Sequence, residues 1–155
     1  QYIPSVEKGI VSQMAKGITG YPMVDIRATL YHGKAHSVDS SDAAFQMAGA
    51  LGLQEAAKKA GIAILEPVDE VTVECDDEYV GGIMSDLSTR RGRVKGSDQV
   101  GDGRTRVTAE VPAFELIRYA TALRSLARGT GTFARQYLHH EPAPSHLTDK
   151  LVAGA

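Results

Sequence analysis

Glu70-Val71-Thr72-Val73-Glu74-Cys75, running straight into Asp76-Asp77-Glu78, is the stretch on which the fold of this chain turns. Val71, Val73 and Cys75 fall on one side of a strict alternation and Glu70, Thr72 and Glu74 on the other, the pattern of a half-buried strand. The three acids then place negative charge at the start of a helix. Arg90, Arg91 and Gly92 place positive charge and a terminator at its end, as the helix dipole favours. Downstream, Arg93 to Ser97 and Thr105 to Val111 read as two strands joined by the turn Gly101-Asp102-Gly103, the second carrying Thr105, Val107, Ala109 and Val111 on one face. Pro112 opens a second helix with Phe114, Ile117, Ala120 and Leu123, Gly129 ends it, and Thr132 to Leu138 forms the last strand.

The order βαββαβ predicts a split βαβ of the ferredoxin-like kind, a four-stranded antiparallel sheet with both helices on one face. Pro67 marks the expected seam with an upstream α+β unit, so the predicted division is 1–67, 68–141 and a loosely held tail at 142–155. Upstream, Pro4 to Lys16 reads as a helix with Ile3, Val6, Ile10 and Met14 recurring before Gly17. It begins at once and lacks an initiating Met, as expected of a segment cut from a longer chain. Val24, Ile26, Ala28 and Leu30 then alternate with Asp25, Arg27, Thr29 and Tyr31, predicting a half-buried strand. A polar loop, His32-Gly33-Lys34-Ala35-His36, leads to Asp39 and Ser40, whose side chains are expected to cap a helix running to about Ala60. That helix has a small-residue face (Ala44, Ala48, Gly49, Gly52, Ala56, Ala60) suited to a closely packed sheet, and Phe45, Met47, Leu51 and Leu53 are expected in the core. Gly61 stops it, and Ile62 to Leu65 reads as a short apolar strand.

The hydrophobic share of 43% with 23% charged residues is ordinary for a globular chain of 155 residues. No apolar run is long enough to span a bilayer and no leader is present, so the expected place is the cytoplasm. The single cysteine, Cys75, is expected to be a small buried side chain. A formal charge of −2 argues against bulk attraction to nucleic acid, but the charges are segregated. Between Gly61 and Thr89 stand eight acids and no base, whereas Arg90 to Arg106 holds six bases (Arg90, Arg91, Arg93, Lys95, Arg104, Arg106) against Asp98 and Asp102. Such a run is either a solvated face or a phosphate-facing patch. No GxxxxGK[ST] phosphate loop occurs, so nucleotide hydrolysis is not assigned to this chain. The five histidines show no metal-ligand spacing. Nothing like Gly-x-Ser-x-Gly singles out a serine nucleophile.

Gly20-Tyr21-Pro22-Met23-Val24-Asp25 and the longer run from Leu30 to Phe45, containing His36-Ser37-Val38-Asp39-Ser40-Ser41, resemble bacterial elongation factor G. Further matches follow in colinear order: Leu65-Glu66-Pro67, Ser85-Asp86-Leu87 with Arg90-Arg91-Gly92, Val111-Pro112, Tyr119-Ala120-Thr121 and Leu123-Arg124-Ser125. The resemblance implies part of a fourth domain, mixed α/β and like the second domain of ribosomal protein S5, then a ferredoxin-like fifth domain. It implies a ribosome-binding portion of a translational GTPase that promotes tRNA–mRNA translocation. GTP and magnesium would then bind in a domain outside this chain, which itself would hold no cofactor, metal or catalytic residue. His36 matches the tip histidine of the loop that enters the decoding region of the small subunit. Lys34 and Ser37 flank it, and Asp39, Ser40 and Ser41 support the loop. Arg90, Arg91, Arg93 and Lys95, with Arg124 and Arg128 as a second surface, are the expected contacts to the GTPase-associated RNA of the large subunit. A monomer with no membrane partner is expected. Departures from the family pattern, Gly129-Thr130-Gly131 for Gly-Arg-Gly, Arg118 for glycine, Gly82 for aspartate and Lys34-Ala35 for Ser-Tyr, suggest a paralogue. Such a paralogue could serve recycling or ribosome protection; the rival of another class is a free-standing ferredoxin-like RNA-binding or regulatory module.

Overall fold

The computed structural model describes residues 1–153, which form two compact units, Ile64–Ala143 and the segments on either side of it. The break therefore falls between Ala63 and Ile64, ahead of Pro67.

In the larger unit the strands are β1 (Leu65–Asp76), β2 (Arg93–Gly101), β3 (Arg104–Pro112) and β4 (Thr132–Pro142). They make one antiparallel sheet of order β2-β3-β1-β4, with a helix at Val80–Thr89 after β1 and another at Tyr119–Leu126 after β3. This is the split βαβ arrangement expected from the order of elements. Val71, Val73, Cys75, Val107, Ala109 and Val111 are fully buried beneath Ile83 and Leu87 of the first helix and Tyr119, Leu123 and Ala127 of the second. Cys75 is thus a core side chain, and burial pushes its thiol up from the ordinary range.

β2 and β4 run on to Gly101 and Pro142, past the expected Ser97 and Leu138, and three further points differ from the sequence reading. β1 runs through Pro67, which pairs with His140 of β4 but lies beyond the first β3 pair, Val68 with Pro112, so its missing N–H costs no bond on that side. The helix expected to open at Pro112 instead starts as a 3₁₀ turn at Ala113–Leu116 and breaks at Arg118, whose φ is 61°. Phe114 and Ile117 consequently stand exposed rather than in the core. At the end of the first helix the left-handed residue is Arg91, not Gly92. Gly92 is needed for space, because a Cβ there would meet the Leu87 carbonyl oxygen at 2.5 Å.

Tyr119 is 1% exposed, its ring edge-on to Phe133 at 5.0 Å and covered by the Arg90 guanidinium at 5.0 Å. Its hydroxyl is the one buried side-chain N or O atom among the described residues without a hydrogen-bond partner, and burial pushes its pKa up to about 12. Removing an unpaired buried hydroxyl while keeping the ring costs no packing. Tyr119→Phe is therefore expected to raise stability by about 1 kcal/mol, read as a higher urea midpoint at unchanged slope.

The other unit contains α1 (Ile3–Lys16) and α2 (Asp42–Ala60), packed on each other through glycines. Gly9 sits against the backbone of Gln46, and Gly49 against that of Val6. Residues 24–31 are exposed and form no strand. Alternation selects a face but supplies no neighbour, and among the described residues this unit has no second strand with which to build a ladder. The small-residue face of α2 accordingly meets no sheet. Ala48, Gly52 and Ala56 line a groove of about 1110 Å³ together with Val6, Ile10 and Leu30. Met47 and Leu51, expected in the core, are exposed, while Leu53 and Ala57 are buried. The stretch after Pro142, expected to be loosely held, continues into a helix at Ser145–Ala153.

Candidate functional site

Loop 32–41 leaves the extended stretch before it and turns back at Ser37–Asp39 into α2. Residues 32 to 39 are all exposed, so His36, Lys34 and Ser37 present their side chains to solvent. None of the three makes a side-chain hydrogen bond or ion pair among the described residues. The loop is shaped by its serines. The His36 N–H donates to Ser40 Oγ at 2.7 Å while the Ser40 N–H donates back to the His36 carbonyl at 3.2 Å, a reciprocal bracket that fixes the turn between them. The helix cap is Ser41, whose Oγ accepts from the Ala44 N–H at 3.1 Å. Of Asp39, Ser40 and Ser41, the three residues expected to fix the loop at the helix start, Ser41 is the one that caps the helix. Ser40 serves the loop instead, and Asp39 makes no side-chain bond among the described residues.

Residues missed by the sequence reading stand behind this loop. Asp42 accepts from the Ser5 hydroxyl on one carboxylate oxygen and from the Gln46 amide at 2.6 Å on the other. These two bonds, Ser5 first, hold its carboxyl below the usual range. The Tyr2 ring stacks on Phe45 at 4.5 Å and 6°. Ser5 and Asp42 are 37 residues apart, so no local pattern could have joined them.

The basic cluster in the other unit is paired. Arg91 grips Glu66 with two bonds of 2.7 and 2.9 Å and reaches Glu115 at 3.2 Å. Arg90 bonds Asp86 at 2.9 Å and the Glu115 carbonyl at 2.6 Å. Arg93 bridges Glu110 and Glu141, and Lys95 joins Glu110 at 3.2 Å. Arg104 and Arg106 meet Asp76 and Glu74 directly across the β1–β3 ladder. The acidic run and the basic run are thus complementary halves of one sheet, and opposite charges facing each other across strands favour this register. Arg90, Arg91, Arg93 and Lys95 are thus each paired with an acid of the same unit, while the side chains of Arg93 and Lys95 remain 60% and 55% exposed. Arg124 and Arg128 are exposed and have no ion pair among the described residues, four positions apart at the end of the last helix of the sheet unit. The described residues hold no group of three or more His, Cys, Asp or Glu arranged to take a metal ion, and none of their helices is long and apolar enough to cross a membrane.

Residues 1–61 match the family described as Elongation factor G, domain IV, and residues 63–151 match Elongation factor G C-terminus. An elongation factor G-like protein of Mycobacterium tuberculosis (strain CDC 1551 / Oshkosh) is 56% identical over 156 residues, covering 100% of this chain and 22% of that protein. Elongation factor G of Aquifex pyrophilus is 48% identical over 153 residues, covering 98% of this chain and 22% of its own length. A crystal structure of a Thermus thermophilus protein superposes with a TM-score of 0.80 at 37% identity, over 99% of this chain and 23% of its own. The chain spans about a fifth of the length of these relatives, and with both of its units matched in colinear order it belongs to the elongation factor G family.

Proposed function

We propose that this chain is the ribosome-contacting portion of a cytoplasmic translational GTPase, and that its part in tRNA–mRNA translocation is mechanical. The observation that supports this reading is the loop at 32–41: a short protrusion closed by a serine bracket, with an unpartnered imidazole at its turn. An exposed aromatic side chain held on a stiff base can stack on an unstacked nucleotide and hydrogen-bond to backbone or base edges, the mode by which single-stranded RNA is read. Lys34 and Ser37 add a phosphate contact and a hydrogen bond beside it. In the sheet unit the exposed Arg124 and Arg128, which pair with no acid among the described residues, supply the contacts to large-subunit RNA. GTP and magnesium belong to a domain outside this chain, because the residues present include no phosphate loop.

The test is His36→Ala in the full-length factor that carries this chain. Base–aromatic stacking contributes about 1–3 kcal/mol, so translocation is expected to slow roughly 5- to 150-fold. Ribosome-stimulated GTP hydrolysis should stay within about twofold of wild type, since no group that handles nucleotide is touched. Equal loss of both activities would sink the assignment, as would no loss of either.

A further inference from the structure

We infer that Ser5 of α1 and Tyr2, which precedes that helix, are positioning residues for His36, so that the start of the first helix, and not the loop's turn alone, sets where the imidazole points. The inference rests on the loop being the RNA contact proposed above. Residues 32 to 35 border the groove beside α1 and α2, whereas the side chains from His36 to Asp39 are exposed and make no hydrogen bond among the described residues. The bracket between His36 and Ser40 fixes the turn but leaves the direction of the whole turn free. Direction on the α2 side of the turn comes from whatever holds the residues just after Ser40, and there the structure is tied to α1 on two sides.

On one side the buried Ser5 hydroxyl donates to Asp42, the first residue of α2. With Gln46 on the other oxygen, both arms of the carboxylate are engaged, leaving no free rotation. On the other side the Tyr2 ring lies flat on Phe45, and its hydroxyl reaches the Ser40 carbonyl at 3.5 Å. Asp42 makes no ion pair among the described residues, so the contact is a hydroxyl-to-carboxylate bond rather than one member of a larger ion cluster. The glycine contacts between α1 and α2 bring the two backbones close enough for a side chain as short as serine to span them. A connected path thus runs from Tyr2 and Ser5 through Asp42 and Phe45 to Ser40, and from Ser40 to the His36 amide. The competing account is that Ser5 and Asp42 merely brace two helices. That account predicts a loss of helix stability with no effect particular to the loop.

The experiment is amide hydrogen exchange and ¹⁵N relaxation on the 155-residue chain, comparing wild type with Ser5→Ala and Ser5→Thr. In Ser5→Ala the His36 and Ser40 amides are expected to exchange about tenfold faster, as local opening becomes easier when one charge-assisted bond is lost. Amides of Leu53 in α2 and of Val71 and Val107 in the sheet should keep their wild-type rates, and Ser5→Thr, which retains the hydroxyl, should restore the loop. Unchanged His36 and Ser40 amides in Ser5→Ala would overturn the inference, and so would uniform acceleration along α1 and α2. A second arm places Ser5→Ala, His36→Ala and the double variant in the full-length factor. Non-additive slowing of translocation supports positioning. Slowing by His36→Ala but not by Ser5→Ala overturns it. If neither variant slows translocation while the loop amides respond, the RNA-contact reading fails and takes the functional half of this inference with it.

Discussion

Arg91→Ala is expected to destabilise the sheet unit by about 3 kcal/mol, seen as a lowered urea midpoint with the slope preserved. The reason is Glu66, only 4% exposed and held by two bonds from the Arg91 guanidinium. Removing the arginine leaves a buried carboxylate without its countercharge, and breaking a buried pair from one side typically costs about 3–5 kcal/mol. The Arg91 side chain is itself 28% exposed, so the lower end of that range applies and water reaches part of the vacated site. Backbone strain does not offset the loss, because alanine at φ 60° is no easier than arginine. Glu66→Gln added to Arg91→Ala should recover a substantial part of the loss, since a neutral amide is cheaper to bury than a carboxylate. A phosphate-contact role predicts the reverse pattern. Stability would hold, and the salt dependence of RNA binding would fall by roughly one unit of slope. The two readings of one residue are separated by a single denaturation series.

The same residue shows where the sequence was legible and where it was not. Periodicity identified the two central strands of the sheet unit, because Val71, Val73 and Cys75 of β1 and Val107, Ala109 and Val111 of β3 keep a period of two over a face that is wholly buried. Charge segregation was also visible, but its meaning was not. The partners of Arg91 and Arg93 lie 25 and 48 residues away, and only strand pairing brings them together. The break at Arg118 has no periodic signal, and its one trace is that arginine stands where the family likeness expects glycine, the residue that adopts a left-handed φ freely. In the other unit alternation at 24–30 was real but insufficient. A strand is a relation between segments, and residues 24–31 find no partner strand. The loop at 32–41 was legible through its family likeness, whereas Ser5 and Tyr2 behind it were not. Contacts between the start of one helix and the start of another have no sequence period.

The closeness of those two helices leads to the second large effect, a sign reversal at Gly9. Glycine inside a helix normally costs roughly 0.5–1 kcal/mol relative to alanine, so Gly→Ala within α1 should ordinarily stabilise. At Gly9 the added Cβ would lie 2.0 Å from the Gln46 carbonyl oxygen and 2.8 Å from its Cα. These are backbone atoms of the facing helix and cannot rotate away, so α1 and α2 must separate. Overpacking of this kind costs about 1–3 kcal/mol and sometimes more. The helix pair has little reserve: in α1 and α2 only Ser5, Gly9, Gly49, Leu53 and Ala57 are buried. Gly9→Ala is therefore expected to remove the dispersed amide resonances of α1 and α2 while those of Val71, Val107 and the rest of the sheet persist. Gly52 provides the control on the same helix pair. A Cβ there meets nothing within 4 Å, so Gly52→Ala should stabilise by the ordinary ~0.5–1 kcal/mol. If Gly9→Ala also stabilises, the helices do not approach through their backbones. The short Ser5–Asp42 link that aims the loop would then lose its geometric basis.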